Sequence, residues 1–156
     1  MKGHELALSK DAKKHLSLQE TATIVTFCIG NHLFGVPADK VVEINKDLEI
    51  TRVPLASDYI KGIMNLRGQI LTVIDLGKKL GIEYGSKHQL NLIVRNQDEM
   101  ASLLIERIDD ILEIPVIKLE EPPEIIEGIK REFVEKVYQL PDRLLIILNM
   151  DKIFDI

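Results

Sequence analysis

The feature that most limits how this chain can fold is an internal repeat that includes polar as well as apolar positions. The segment YIKGIMNLRGQILTVIDLGKKLGI (59–82) aligns without a gap on FVEKVYQLPDRLLIILNMDKIFDI (133–156). A second pair, DKVVEI (39–44) on DDILEI (109–114), has nearly the same spacing. Chance similarity between two β-rich apolar stretches is the alternative, and the agreement at polar positions argues against it. The repeat therefore indicates two related structural units.

Short strands separated by turns account for most of the chain after Thr21. TIVTFCI and HLFGVP flank Gly30-Asn31, which predicts a β-hairpin, and QLNLIVRN and MASLLIE repeat this pattern around a polar turn at 97–99. QILTVIDL and RLLIILNM predict buried strands, ADKVVEI a short helical turn or a strand entry, and LEEPPEIIEGIKREF a loop. Such a pattern favours two small β-barrels or half-barrels packed together, because a closed sheet exposes no edge.

The length of 156 residues fits one domain, or two small lobes with a common core. We expect a flexible leader or one short helix over residues 1–20 and a single domain over 21–156. Its lobe-forming halves are predicted at about 21–86 and 87–156, with the possibility that strands are exchanged between the lobes.

The charge and cysteine content limit the partners and the compartment. A net charge of −5 disfavours nucleic acid and anionic membrane surfaces, since both are bound through clustered Lys and Arg. The single cysteine, Cys28, cannot form an internal disulfide and lies in an apolar run, so we expect a buried, inert thiol in a reducing compartment. No signal peptide is recognisable, and no apolar run approaches the ~20 residues of a membrane span. We therefore expect a cytoplasmic protein.

Residue patterns for catalysis or cofactor binding are missing from the sequence. The serines lack nucleophile-elbow glycines, and the glycines form neither G-x-G-x-x-G nor a P-loop. The acidic groups ERIDDILE and EEPPEIIE are typical of a solvated face. Four Phe, three Tyr and no Trp provide no stacking platform for bases. The histidines have no metal-ligand spacing: His4, His15, His32 and His88. We expect no enzyme, cofactor or metal site.

The stretches FGVPADKVVEI and ITRVPLASDYIKGIMNLRGQILTVIDLGKKLG resemble the CheW family of chemotaxis coupling proteins. The recurring pattern is aromatic-Gly-apolar, V-x-E-I, R-x-P, I-K-G-x-x-N-L-R-G, an apolar run and D-L. The resemblance implies an all-β fold of two SH3-like five-stranded lobes with a groove between them. It also implies a non-catalytic adaptor that contacts the regulatory domain of a CheA-type histidine kinase and the cytoplasmic tip of a chemoreceptor. Such a protein is recruited to membrane-associated receptor arrays.

Six positions match the interaction residues that the resemblance implies: Val41, Glu43, Gly62, Asn65, Arg67 and Gly68. Val41 would offer apolar area. Glu43 and Arg67 would either pair with each other to hold a loop or each project to a partner, because a guanidinium fork suits carboxylates and carbonyls. Gly68 is expected at positive φ in a turn, and Gly62 at a close backbone approach. Pro141-Asp142 stands where Arg67-Gly68 stands, so the repeat predicts a turn shared by both lobes and an arginine present in one.

The second half departs from the family pattern. Glycines are common in relatives where this chain has Lys136 and Tyr138, and also where it has Ser102 and Arg107, which puts the choice of receptor in question more than the fold. Two other functions stay open. One is an adaptor of a related chemosensory-like array with a non-swimming output, and the other is a small β-barrel enzyme or ligand-binding protein.

Overall fold

A computed structural model describes residues 20–46, 48–82 and 89–156. These residues form mainly β-structure with two short α-helices, α1 (Leu76–Leu80) and α2 (Met150–Phe154). The strands are β1 (Thr21–Ile29), β2 (His32–Pro37), β3 (Val41–Asn45), β4 (Ile60–Leu66), β5 (Gln69–Asp75), β6 (Leu90–Asn96), β7 (Glu99–Ile105), β8 (Arg107–Pro115), β9 (Ile125–Ile126), β10 (Ile129–Lys130), β11 (Val134–Gln139) and β12 (Leu144–Leu148). Residues 1–19 of the predicted leader lie outside the described residues.

Two five-stranded sheets carry the fold. Sheet A has the order β11-β12-β2-β1-β8 and sheet B the order β4-β5-β7-β6-β3, while β9 and β10 form a separate two-stranded hairpin. Neighbours pair antiparallel except β12 with β2 and β5 with β7, which are parallel. The predicted fold class, mainly β with two five-stranded SH3-like lobes, is confirmed. Sheet A takes its first hairpin from the start of the chain and its other strands from the end.

Each sheet curls until the chain that follows one edge strand meets the other edge strand. After β3, Thr51 exchanges two backbone hydrogen bonds of 2.8 Å with Ile63 of β4. After β8, Glu120 exchanges two of 2.9 Å with Val137 of β11. Ile63 and Val137 occupy the same position in the repeat. These pairings close each sheet towards a barrel and satisfy backbone groups that an open edge would leave exposed.

The helix entries repeat as well. The side chain of Asp75 accepts a hydrogen bond from the Lys78 amide at the start of α1, and Asn149 accepts one from the Lys152 amide at the start of α2, both at 3.2 Å. In both lobes the residue at the end of the strand has a short polar side chain, and this side chain caps the first turn of the helix that follows. The repeated sequence is therefore a repeated strand–turn–strand–helix structure.

Alternating side chains divide the interior into three cores. In β12, Leu145 and Ile147 point into the core of sheet A, whereas Ile146 and Leu148 point to a central core shared with sheet B. The sheet B core contains Met64, Leu66, Leu71, Val73, Ile93 and Leu104. Because strand side chains alternate between faces, a run without polar residues is what a strand buried on both sides requires. The central core makes the two lobes one packed body.

Three local expectations concern the acidic loop, the cysteine and membrane-spanning segments. The loop predicted over LEEPPEIIEGIKREF contains the β9–β10 hairpin and a 3-10 turn at Arg131–Phe133, so that expectation was wrong in part. The thiol of Cys28 is buried and forms no disulfide, its sulfur lies within hydrogen-bond distance of Asp109 and Arg143, and burial is the main cause that raises its pKa. Within the described residues, no helix has the length and apolar character needed to cross a membrane.

Candidate functional site

The tip of the β4–β5 hairpin holds two of the six predicted site residues in a tight turn. Arg67 has φ 51° and Gly68 has φ 85°, the two positive values that a two-residue type I′ turn requires. The side-chain oxygen of Asn65 accepts a hydrogen bond of 2.8 Å from the Gly68 amide, which fixes the turn. An arginine in the left-handed region is uncommon, and such conformations persist where the surroundings hold them. The turn thus presents Arg67 at the hairpin tip.

Arg67 and Glu43 form a two-pronged ion pair. The Nη2 group of Arg67 donates to Oε2 of Glu43 at 3.0 Å, and Nη1 donates to Oε1. The amide of Asn45 donates a further hydrogen bond of 2.7 Å to Oε2 of Glu43. The Arg67 side chain stays 73% exposed, against 20% for Glu43. The carboxylate is therefore nearly saturated, whereas the guanidinium has used two of its five donors on Glu43 and faces outward.

The pair joins opposite edges of sheet B. Glu43 lies on β3 and Arg67 follows β4, which are the first and last strands in the order of that sheet. Of the two roles expected for these residues, the structure shows the charge pair, and it leaves the guanidinium accessible for the second role. The same turn position in the other lobe, Pro141-Asp142, has no positive φ. The position of the turn is shared by both lobes, but its conformation is not.

The hydrogen bonds from Arg67, and next the one from Asn45, hold the pKa of the Glu43 carboxyl below its usual value. A carboxyl whose pKa is lower in the folded than in the unfolded state adds stability above the unfolded pKa, and this stability is lost as pH falls through the folded pKa. We expect Glu43→Gln to reduce the loss of stability on acidification. The measurement is the urea midpoint at a series of pH values from neutral to acid.

Glu49→Gln, at an exposed carboxylate of the same lobe, is the matched control. The wild-type protein and the control should lose stability in parallel, and Glu43→Gln should start from a lower midpoint and fall less steeply. Equal slopes for all three proteins would contradict the role given to the pair.

Gly62 lies at a β-bulge in β4, directly under the chain segment that closes the barrel. A Cβ added at this position would overlap the carbonyl oxygen of Thr51 and lie 2.8 Å from its carbonyl carbon and 2.9 Å from Cγ2 of Ile50. Because the next residue, Ile63, makes the hydrogen bonds to Thr51, no side chain fits there without moving that pairing. Gly62 therefore allows the close backbone approach that the sequence predicted.

Val41 is not the exposed apolar residue of β3. It is half-buried, lies opposite Val94 and packs against the central core, whereas Val42 and Ile44 are 41% and 42% exposed. A bulge between Val41 and Glu43 inserts one extra residue and changes which side chains face out. Sequence reasoning missed Val42 and Ile44. The signal that could have found them is the absence of a strict polar–apolar alternation in VVEIN.

One further exposed apolar residue lies beside the predicted site. Ile70 is 61% exposed and pairs with Asn65 across the hairpin, so both side chains lie on its outer face. Leu55 is also fully exposed, but its loop lies with Ile60 and Lys61 at the other end of the hairpin. Exposed apolar side chains beside a charged one are a common composition of protein interfaces. The hairpin tip therefore combines an outward guanidinium, a polar amide and apolar area.

The residues that depart from the family pattern have structural contacts in this protein. The Ser102 hydroxyl is buried and donates a hydrogen bond of 2.8 Å to the Asn91 side chain inside sheet B. The ammonium of Lys136, at the position that Gly62 holds in the other lobe, pairs with Glu121 in the segment that follows β8. Among the described residues, no group of three or more His, Cys, Asp or Glu side chains is placed to hold a metal ion.

Comparisons of the sequence and of the structure with known proteins point to the same family. Residues 23–156 match the CheW-like domain family. The chain is 30% identical over 141 residues to the chemotaxis protein CheW of Treponema pallidum, which covers 86% of this chain and 83% of that protein. It is 27% identical over 116 residues to the protein PilI of Pseudomonas aeruginosa, covering 73% and 65% of the two chains.

The fold agrees with a solved structure as well. The crystal structure of the scaffolding protein TtCheW from Thermoanaerobacter tengcongensis superposes with a TM-score of 0.82 at 32% sequence identity, over 88% of this chain and 94% of that one. The likeness therefore extends over both lobes.

Proposed function

Because this chain belongs to the CheW-like domain family, we propose that it is a non-catalytic adaptor that couples chemoreceptors to a CheA-type histidine kinase. The observation that carries the proposal is the Arg67 guanidinium, which is oriented by Glu43 and yet 73% exposed at the tip of a fixed turn. A family scaffold acts through protein contacts, and an arginine held in place by a neighbour loses less side-chain entropy when it binds a partner.

The six residues predicted from the sequence have three roles in this proposal. Arg67 and Asn65 contact the kinase or the receptor directly, together with the exposed Ile70 on the outer face of the same hairpin. Glu43, Gly62 and Gly68 position them: Glu43 orients the guanidinium, Gly68 allows the turn, and Gly62 lets the barrel close beneath it. Val41 packs against the central core and supports β3 from inside. The exposed Val42 beside it provides the apolar area that the sequence predicted for Val41. The adaptor works in the cytoplasm, at receptor arrays on the membrane.

We expect Arg67→Ala to weaken association with the purified regulatory domain of a CheA-type kinase, or with a receptor tip, by about tenfold or more, as interface arginines commonly do. The fold should be nearly unchanged, because the Arg67 side chain is 73% exposed and ion pairs at the surface contribute little to stability. Titration calorimetry gives the affinity, and a urea melt gives the stability.

Arg95→Ala is the matched control, an exposed arginine at the end of β6 in the same sheet. Wild-type affinity in Arg67→Ala would refute the direct contact. If Arg67→Ala instead unfolds the protein, the role of the residue is structural.

A second candidate function is an adaptor of a related array with a different output. This second function is favoured by the match to the protein PilI, because that relative is not named as a chemotaxis protein. The two candidates are separated by presenting regulatory domains from a chemotaxis kinase and from a kinase of a related array together, and by measuring which one the protein retains.

A further inference from the structure

Strand β8 and the 3-10 turn that follows it, Val116–Lys118, have an apolar and acidic strip that no described element covers. We define the β8 strip as Ile111 and Glu113 of the strand together with Val116 and Ile117 of the turn. Ile111 is 66% exposed, Ile117 58% and Val116 38%. β8 is an edge strand of sheet A, and among the described strands it pairs with β1 alone. A long edge strand with exposed isoleucines is a surface that proteins normally protect or use.

The strand residues of the strip, Ile111 and Glu113, continue the face of sheet A that packs on sheet B. Ile111 lies opposite Val25, which belongs to the central core, and Glu113 lies opposite Thr23. Residues directly opposite in an antiparallel pair point to the same face. Val25 is buried and Ile111 is exposed, so sheet B packs over β1 at this position but does not reach β8. Ile111 and Glu113 thus extend a core-forming face beyond the reach of sheet B, and the exposed Val116 and Ile117 follow them in the chain.

The charge of this region is unbalanced. Glu113 accepts hydrogen bonds from the hydroxyls of Thr21 and Thr23, the first at 3.0 Å, and the described residues provide no cation within ion-pair distance of Glu113 or Asp110. Asp109, in contrast, pairs with Arg143. A complementary partner for the strip therefore has apolar side chains next to positive charge.

The first 19 residues of the chain have this composition. MKGHELALSKDAKKHLSLQ contains four lysines against Glu5 and Asp11, while the chain as a whole has a net charge of −5. Leu8, Ala12 and Leu16 are spaced four residues apart, which places them on one face if the segment is helical. The segment also joins the fold at the strip, because the Val116 amide donates a hydrogen bond of 2.9 Å to the carbonyl oxygen of Glu20.

From these observations we propose that residues 1–19 bind in cis to the β8 strip, with Leu8, Ala12 and Leu16 on Ile111, Val116 and Ile117, and with Lys10, Lys13 or Lys14 at Asp110 and Glu113. A helix of this length is about 28 Å long, close to the ~30 Å of a nine-residue strand. Because the segment is tethered beside its site, its effective concentration is high, and few contacts suffice to hold it there.

Hydrogen exchange of the full chain tests this binding. The variant combines Lys10→Glu, Lys13→Glu and Lys14→Glu, and the matched control places Glu at three exposed lysines of the other lobe, Lys46, Lys61 and Lys78. We expect the amides of 107–118 to exchange about fivefold faster or more in the variant, and at the wild-type rate in the control. Equal exchange in the wild type and the variant overturns the proposal, and so does equal acceleration in variant and control.

Zero-length carbodiimide cross-linking identifies the occupant of the strip. The proposal expects links from Lys10, Lys13 or Lys14 to Asp110 or Glu113 within one chain. The same links between two chains, found in a cross-linked dimer, assign the strip to a second copy and overturn binding in cis. Absence of any link to these two carboxylates, when other lysine–carboxylate pairs of the fold are linked, overturns it too.

Discussion

Replacing Gly62 by alanine is expected to destabilise the protein by about 3 kcal/mol or more, because overpacking and backbone strain each cost on the order of 1–3 kcal/mol. The added methyl would occupy the space of the Thr51 carbonyl, and φ at this position is +154°, which side-chain-bearing residues rarely adopt. Relief requires the Thr51–Ile63 pairing to separate, and this pairing closes sheet B. Urea unfolding gives the loss of stability directly.

Gly68→Ala separates close approach from backbone strain. Gly68 also has a positive φ, of 85°, but a Cβ there meets nothing within 4 Å. This variant should lose only about 1 kcal/mol. The reverse change in the other lobe, Lys136→Gly, should be mild because it removes a partly exposed side chain and creates no clash. If Gly62→Ala is as stable as Gly68→Ala, the Thr51–Ile63 pairing can move apart without loss of folding free energy, and the close approach is not required.

Phe34→Ala is expected to cost about 3–5 kcal/mol, the usual range for removing a buried phenylalanine. Phe34 is completely buried in the central core, with its ring centroid 5.9 Å from that of Phe27 and 5.9 Å from the stacked imidazole of His32. The central core contains residues of both sheets, so the cavity weakens the contact between the lobes as well as sheet A. We expect both lobes to unfold in one transition at a lower urea concentration.

Probes in each lobe follow this transition: hydrogen exchange of β1 reports sheet A, and that of β6 reports sheet B. Ile125→Ala is the control, since Ile125 is 68% exposed and its truncation should change stability by less than about 0.5 kcal/mol. Separate transitions for the two sheets in the variant would mean that the central core does not bind the lobes into one cooperative unit.

Local signals predicted most of the elements. Gly30-Asn31 connects β1 and β2, and the repeat aligned the two segments that became β4–β5–α1 and β11–β12–α2. These predictions succeeded because turn residues and apolar alternation act over a few neighbours. The β9–β10 hairpin was missed because its strands have two residues each, too few for a periodic signal.

The site was predicted less completely. The motif located Arg67, Gly68 and Asn65, and the positive φ expected for Gly68 is present. The motif could not choose between a paired and a free Arg67, because the answer depends on how far sheet B curls. Nor did it show that the bulge in β3 turns Val42 outward and Val41 inward, since one inserted residue reverses the faces without altering the composition.

The sequence by itself determined which segments are strands, where the hairpins turn, and that one strand–turn–strand–helix unit occurs twice. Only the tertiary structure decided how these units combine. The β1–β2 hairpin pairs with β8 and β12 from the far end of the chain, while β6–β7 pairs with β3 and β5. The two hairpins have similar apolar patterns, so local sequence preferences would allow each hairpin to pair with either set of strands. What selects the arrangement is the burial of three cores at once, with Gly62 leaving room for closure and Glu43 meeting Arg67 where the edges of the sheet come together.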